Sequence, residues 1–388
     1  MNHAARAYEN LPLPERPRSW AEIDLSALRQ NYRILCGCLQ ERTTPIAVVK
    51  ADAYGHGMAA CARAIAGEGC RHFAVSCIEE GIALREALGK DAHILILGYT
   101  DPSLAGELSR NDLSQTVLSR TYGKELCRAA KTAGVRIRVQ YALDTGMNRI
   151  GFPAREEREF SKTAKDILRF AKELAFRSEG LFTHFACADD ASDPLTDLQS
   201  VRFAAVQKEI CKKGVRLNCH ICNSAAALSR PQDHYDAVRL GIVLWGVPPA
   251  EKIQLPLCPV MRLCTRVVHL HRVEAGERVG YGGEFRADRK SLIATLPIGY
   301  ADGWLRAFRG ATVAFETEKG IFHAPLVGRI CMDQCMADVT GLKVKVGDRV
   351  VLFGNEPSDL SELASRANTI PYELLCLISS RVPRVYPE

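Results

Sequence analysis

No apolar run in this chain of 388 residues approaches the roughly 18 needed to cross a bilayer, so a membrane-spanning helix is not expected. The N-terminal stretch MNHAARAYENLPLPERPRS lacks an apolar core and predicts no secretory signal. No basic stripe interleaved with aromatics occurs. The net charge of +6, from 51 basic and 45 acidic residues, is small and dispersed, which argues against a nucleic-acid partner. Repeats of 20 to 50 residues and low-complexity segments are absent. Cysteine is plentiful, at fifteen, but the count is odd and the spacing irregular. Cys219-x-x-Cys222 has no second knuckle to complete a zinc site, so no metal is expected. The thiols read as mostly small buried hydrophobes in a reducing, cytoplasmic setting. What remains, 47% hydrophobic and 25% charged residues, is ordinary globular composition, enough for two or three compact units.

The most informative stretch is Pro45-Ile46-Ala47-Val48-Val49-Lys50-Ala51-Asp52-Ala53-Tyr54-Gly55-His56-Gly57-Met58. Ile46 to Val49 is short, apolar and β-branched, as suits a strand buried on both faces. Lys50 then stands at the strand's carboxyl end, where parallel α/β folds build their sites. Two readings are open there: a lysine that snorkels to solvent, or one that forms a Schiff base with an aldehyde cofactor such as pyridoxal phosphate (PLP). AVVKADAYGHGM resembles the cofactor-lysine motif of the alanine racemase family. Separate motifs in the family's order extend that resemblance from about Trp20 to Pro387. It implies a PLP enzyme with a barrel and a β domain, in which Lys50 holds PLP and Tyr54 reaches its phosphate.

The pattern along the chain points to the same architecture. Beyond Lys50, helical and strand-like segments alternate, and about eight strands follow from Ile46 to Leu240, the number that closes a (β/α)8 TIM-like barrel. Residues 1–18, rich in proline and charge, read as a loose extension, 19–260 as the barrel and 261–388 as a mainly β domain. One helix, Leu360 to Ala367, is expected in that last domain. The family resemblance adds that the first strand, near Trp20 to Asp24, joins the β domain.

Inverting an amino-acid stereocentre requires the Cα proton to leave one face and return on the other, and two bases on opposite faces solve this. Lys50 is one. Arg278-Val279-Gly280-Tyr281-Gly282-Gly283-Glu284-Phe285 offers either a hairpin-turn tyrosine or a projected phenol. The segment resembles the one that carries the family's second base, which implies Tyr281. A tyrosine base needs a nearby cation or donor, since its ordinary pKa is about 10.

Other motifs read both ways until the resemblance is applied. His184 ends a strand, and the family match implies a place between the catalytic tyrosine and a cofactor-side arginine. Asn223 and Ser224 stand at a helix start, where a cap and an anion site can coincide. In Ala237-Val238-Arg239-Leu240-Gly241-Ile242 a charge interrupts an apolar strand. The Gly241 and Ile242 amides suit a phosphate, and Arg239 is either a strand-end ion pair or, by resemblance, the partner of the pyridine nitrogen. Arginine cannot be expected to give that nitrogen its proton, which weakens the electron sink and disfavours transamination.

Asp144 to Arg149 resembles the substrate-side loop, with Arg149 on the substrate carboxylate. The family often carries a carbamylated lysine two residues before that aspartate, and here Ala142 stands there. Asn148 is expected to be able to bond a substrate hydroxyl, which keeps a serine or broad-spectrum racemase as the alternative. The resemblance further implies Met332 and Asp333 beside the substrate, Tyr300 at the entrance and Tyr372 on the phosphate. It also implies a homodimer in which Tyr281 serves the partner subunit's Lys50, and alanine racemisation that supplies D-alanine for cell-wall synthesis. A PLP decarboxylase shares the architecture but not Tyr281 with Arg239. A noncatalytic PLP carrier generally lacks the β domain.

Overall fold

The computed structural model describes residues 17–250, 253–354 and 359–387. The chain divides into two units, one comprising Met1–Ala27, Tyr54–His56 and Pro259–Glu388, the other Leu28–Ala53 and Gly57–Cys258.

In the Leu28–Ala53 and Gly57–Cys258 unit, apolar runs bounded by turn residues become parallel strands. They are β2 (Thr44–Val48), β3 (His72–Val75), β4 (His93–Ile96), β5 (Leu113–Val117), β6 (Ile137–Asp144), β7 (Phe176–Phe182), β8 (Asn218–His220) and β9 (Ala237–Leu240). The ladder runs β9-β2-β3-β4-β5-β6-β7-β8, with the two-residue strand Phe152–Pro153 added beside β6. Backbone bonds from Asp236 N to Cys219 O and from Arg239 N to Cys222 O, each 3.0 Å, bring the last two strands together and close a parallel barrel. Side chains alternate along each strand: Tyr141 stacks outward on Phe170 of a covering helix, while its neighbour Gln140 joins His220 and Arg239 inside the barrel.

The intervening helices follow their caps and apolar faces. Ser119 accepts the Tyr122 amide at the start of Arg120–Thr132, and a Glu156/Glu159 capping box opens Glu157–Ala171. Asp193 accepts the Leu195 amide at 2.8 Å at the start of Leu195–Cys211.

The other unit is a nine-stranded, mostly antiparallel sheet. Ser19–Ile23 (β1) pairs antiparallel with Met261–Arg266 and parallel with Arg384–Val385, so the first strand belongs to this sheet. Asp24 caps the helix that follows, accepting the Ala27 amide at 2.8 Å. Residues 261–273 form two strands, Met261–Arg266 and His269–Val273, which pair with different neighbours. One expectation is corrected here. A second helix, Pro371–Leu377, follows Leu360–Arg366, started by proline at its first position. The expected extension over 1–18 lies outside the described residues except Pro17 and Arg18, and Arg18 is bonded to Pro297 O and to Asp302, both at 2.5 Å.

All fifteen cysteines are free thiols. Fewer than half are buried (Cys61, Cys70, Cys127, Cys219, Cys222, Cys264 and Cys335), which corrects the expectation that most would be. Cys219 and Cys222 donate to the backbone oxygens of Leu217 and Asp233. No helix among the described residues is long and apolar enough to cross a membrane.

Candidate active site

The β2 strand delivers Lys50 into an unusual turn. Ala51, Asp52, Ala53 and Tyr54 have φ of 53°, 53°, 57° and 53°. Four consecutive non-glycine residues in the left-handed region cost roughly 1–2 kcal/mol each, so neighbours must hold them. Val49 N donates to Ala74 O and Ala53 N to Val49 O, both at 2.9 Å. Asp52 accepts the Met58 amide at 2.7 Å and so starts the helix Met58–Gly67. Glu80 accepts the Ala51 amide at 2.7 Å.

Arg239, on β9 and only 3% exposed, is the centre of the barrel's polar cluster. Its Nη1 donates to His220 Nδ1 at 2.7 Å and His220 O at 2.8 Å. Its Nη2 donates to Thr183 O at 2.8 Å, Ile221 O at 3.2 Å and His184 Nδ1 at 3.2 Å. The guanidinium therefore ties the ends of β7 and β8 to β9. Its Nε has no partner among the described residues and remains a donor to spare. Burial draws its pKa down to about 10, which leaves it charged at neutral pH.

A guanidinium has no lone pair to offer, so both histidines accept from it at Nδ1 and carry their proton on Nε2. His220 Nε2 then donates to Gln140 Oε1 at 2.7 Å. Gly180 makes room for that amide, because a Cβ there would lie 2.5 Å from Gln140 Oε1. Burial first, then the charge of Arg239, holds His220 neutral. His184 is pushed down to about 3 by burial, then by Arg239, Arg149 and Lys50. The charges of Arg239, Arg149 and Lys50 thus all act on His184, a field suited to an anionic ligand.

Ser224 begins the short helix Ser224–Ser229, and its Oγ accepts the Gly241 amide at 2.9 Å. The Gly241 N–H, expected as a donor to phosphate, is engaged in this bond. Asn223 is the helix cap, its oxygen accepting the Ala226 amide at 3.1 Å. Ile242 opens the turn Ile242–Trp245 and is buried.

Arg149 is exposed and lines a cavity of about 440 Å³ with Asp144, Asn148 and Arg155. Asn148 has φ 57°, and both ends of its amide are engaged in the loop: Nδ2 donates to Gly146 O and Oδ1 accepts from Arg155. One N–H and one lone pair of the amide are left over from these bonds.

In the other unit, Tyr54 is buried, with its ring centroid 6.4 Å from that of Tyr372. Burial, then Tyr372, raises its pKa, so the phenol keeps its proton. Gly55, at φ 82°, lies so close to the helix Pro371–Leu377 that a Cβ would fall 2.3 Å from Leu375 O. Arg384 donates to Gly55 O at 2.8 Å and to the carbonyls of Ile378, Ser379 and Val382, each at 2.7 Å. Tyr281 is 71% exposed and its phenol makes no hydrogen bond among the described residues. Met332 is 53% exposed, Tyr300 is 41% exposed, and Asp333 pairs with Arg381 at 2.8 Å.

His220, Gln140, Glu80 and Arg384 were not singled out by sequence reasoning. The first had a signal, an ionisable residue at the end of a buried strand. Glu80 had a weaker one, since helical spacing puts it on the same face as buried Leu84.

A closed parallel barrel, with a lysine and an arginine cluster at the carboxyl ends of its strands and a β sheet elsewhere in the chain, defines a barrel-plus-β-domain enzyme. The comparisons specify the family. The model of the alanine racemase N-terminal domain matches residues 23–249, and that of the C-terminal domain matches 260–386. Alanine racemase 1 of Clostridium acetobutylicum is 40% identical over 375 residues, 95% of each chain. Alanine racemase of Desulfovibrio desulfuricans is 41% identical over 374, covering 95% of this chain and 98% of its own. Among solved structures, the Clostridium difficile 630 alanine racemase matches with a TM-score of 0.90 at 36% identity over 97% of both chains. The Bartonella henselae alanine racemase with covalently bound pyridoxal phosphate matches at 0.85 and 30%, covering 95% of this chain and 99% of that one. The chain belongs to the alanine racemase family.

Proposed function

We propose that the protein is a PLP-dependent alanine racemase, with Lys50 and Tyr281 as its two proton carriers. The observation that carries this is the gathering of Lys50, Arg149 and Arg239 around a neutral His184 in the barrel. These donors fit the cofactor. Lys50 is the amine for its aldehyde, the spare Nε of Arg239 suits the ring nitrogen, and the Ser224 hydroxyl with the Ile242 amide, Tyr54 and Tyr372 suits the phosphate. When bound, PLP supplies the aldehyde that condenses with amines and a ring that draws electron density from Cα.

Arg149 holds the substrate carboxylate, and Met332 and Asp333 line the substrate's surroundings. The Lys50 Nζ carries the proton on one face of Cα. Tyr281 carries it on the other, in a homodimer where the tyrosine of one protomer serves Lys50 of the second. The exposure of Tyr281, with its phenol uncommitted, supports that assignment. Alanine is favoured over serine because the relatives at 40% and 41% identity are alanine racemases.

Borohydride reduction of the loaded enzyme, peptide mapping and an L-amino-acid panel followed by circular dichroism test this together. Expected are a label on Lys50, optical rotation lost fastest for alanine, and exchange of the Cα hydrogen with the carboxyl carbon retained. A label elsewhere, or release of the carboxyl carbon, overturns it.

A further inference from the structure

Glu80 lies outside the residues so far given a role in the chemistry. It sits in the first turn of the helix Ile78–Leu88 and is 9% exposed. A carboxylate so placed needs partners for both oxygens. Its partners are two backbone amides from different strand-to-helix turns: Ala51 N to Oε1 at 2.7 Å and Ser76 N to Oε2 at 2.8 Å. The bond to Ser76 is a local one, four residues back along the chain. The bond to Ala51 crosses to the next turn of the barrel and has no local rationale.

Ala51 N is the amide nitrogen bonded to the carbonyl carbon of Lys50. Fixing that N–H fixes the plane of the Lys50–Ala51 peptide, and with it the direction in which the Lys50 side chain leaves the backbone. The same peptide opens the left-handed run. We infer that Glu80 is a positioning residue for Lys50, holding the peptide that follows it so that Nζ is aimed for covalent capture of the cofactor. The inference rests on the reading of Lys50 as the cofactor lysine. A carboxylate is required because each of its oxygens accepts one amide. A glutamine side chain has one acceptor and sets an NH2 group against the other N–H.

The test uses the full chain freed of cofactor, as wild type, Glu80→Gln and Glu80→Asp, with the exposed neighbour Glu79→Gln as control. PLP is added and its capture followed by absorbance, with borohydride trapping at Lys50. Binding of pyridoxamine phosphate, which has no aldehyde, is measured alongside, together with amide exchange over residues 49–54. Loss of a bond to a charged acceptor predicts at least about tenfold slower capture and about tenfold faster Ala51 exchange in Glu80→Gln. Pyridoxamine phosphate affinity should stay within about twofold of wild type, because contacts to its phosphate and ring do not depend on the lysine's aim. Glu79→Gln should match wild type throughout. Glu80→Asp keeps the charge with one methylene less reach; it should fall between and serves in place of Glu80→Gln should that variant not fold. Wild-type capture and exchange rates in the variants would overturn the inference. So would a parallel loss of capture, pyridoxamine phosphate affinity and thermal stability, which is the signature of a helix cap alone. Failure of wild type to label at Lys50 is a separate result; it removes the cofactor-lysine reading and the inference with it.

Discussion

Replacing Arg239 separates its charge from its geometry. Arg239→Met keeps much of the volume but removes every donor. It leaves the oxygens of Thr183, His220 and Ile221 and the Nδ1 atoms of His184 and His220 without the partners they have now. Each buried acceptor left unpaired costs about 1–3 kcal/mol. Part of this is offset, because an arginine only 3% exposed no longer has to be desolvated. The expected net destabilisation is about 3–5 kcal/mol, read as the loss of unfolding free energy in urea. Arg239→Lys keeps the charge but supplies a compact ammonium in place of the planar fork, so it should recover only part of that loss. The histidines supply the second readout. Their pKa values are held down by burial first and by Arg239 second. In Arg239→Met both should move up without reaching the ordinary histidine range, whereas in Arg239→Lys they should remain low. Histidine-selective NMR of the cofactor-free protein follows each titration. Unmoved titrations in Arg239→Met would refute the electrostatic account, and wild-type stability in Arg239→Lys would refute the claim that the fork ties three strand ends together.

Acid should destabilise the cofactor-free fold well before its carboxylates titrate. His72, at about 4, His184, at about 3, and His220 refuse protons that the unfolded chain takes up from pH 6.5 downward, so their contribution is complete above 6.5 and lost as pH falls towards 4. The slope is roughly 1.4 kcal/mol per pH unit per proton, and a urea midpoint constant from pH 7 to 5 would contradict it. Gly55→Ala meets both a positive φ and the Leu375 carbonyl, so it should weaken PLP binding by about tenfold or more. Pyridoxal, lacking the phosphate, should lose less affinity; an equal loss for both would count against Tyr54 as a phosphate ligand. Mixing inactive Lys50→Ala and Tyr281→Phe chains should restore up to about a quarter of wild-type activity per site through hybrid dimers. No restoration, despite exchange of subunits shown by mass, would mean that each chain uses its own tyrosine.

What could be read beforehand followed physical strength of signal. Apolar runs bounded by turns located β9 to the residue, and the interrupting charge at Arg239 marked the polar centre. The first strand was another matter. Its alternation says only that one face is buried, and its partner Met261–Arg266 lies some 240 residues away, so pattern alone could not assign it to a sheet. The helix Pro371–Leu377 is too short to show a full amphipathic period, although proline at its start was a usable sign. The left-handed run after Lys50 was invisible because alanine and tyrosine have no local preference for that region; tertiary bonds from Glu80 and Ala74 override propensity there. Asn148 has a local role beside any contact with a ligand: asparagine tolerates positive φ, and the side chain bonds Gly146 O and Arg155 within the loop.

The two kinds of rigidity in the barrel address one problem. In the proposed placement Arg239, still charged at neutral pH, would donate a hydrogen bond to the ring nitrogen without surrendering a proton, and the ring would stay a modest electron acceptor. A modest acceptor raises the demand on the groups that handle the Cα proton, because less of the developing charge is carried away from that atom. Placement can meet that demand, since a base held at reacting distance replaces a costly bimolecular encounter. A strained turn stapled by a buried carboxylate confines the backbone behind Lys50, and a fork of five bonds confines Arg239. On this account the electron sink is kept weak to limit reactions that move charge elsewhere in the cofactor. The energy needed to recover rate is supplied by positional restraint instead.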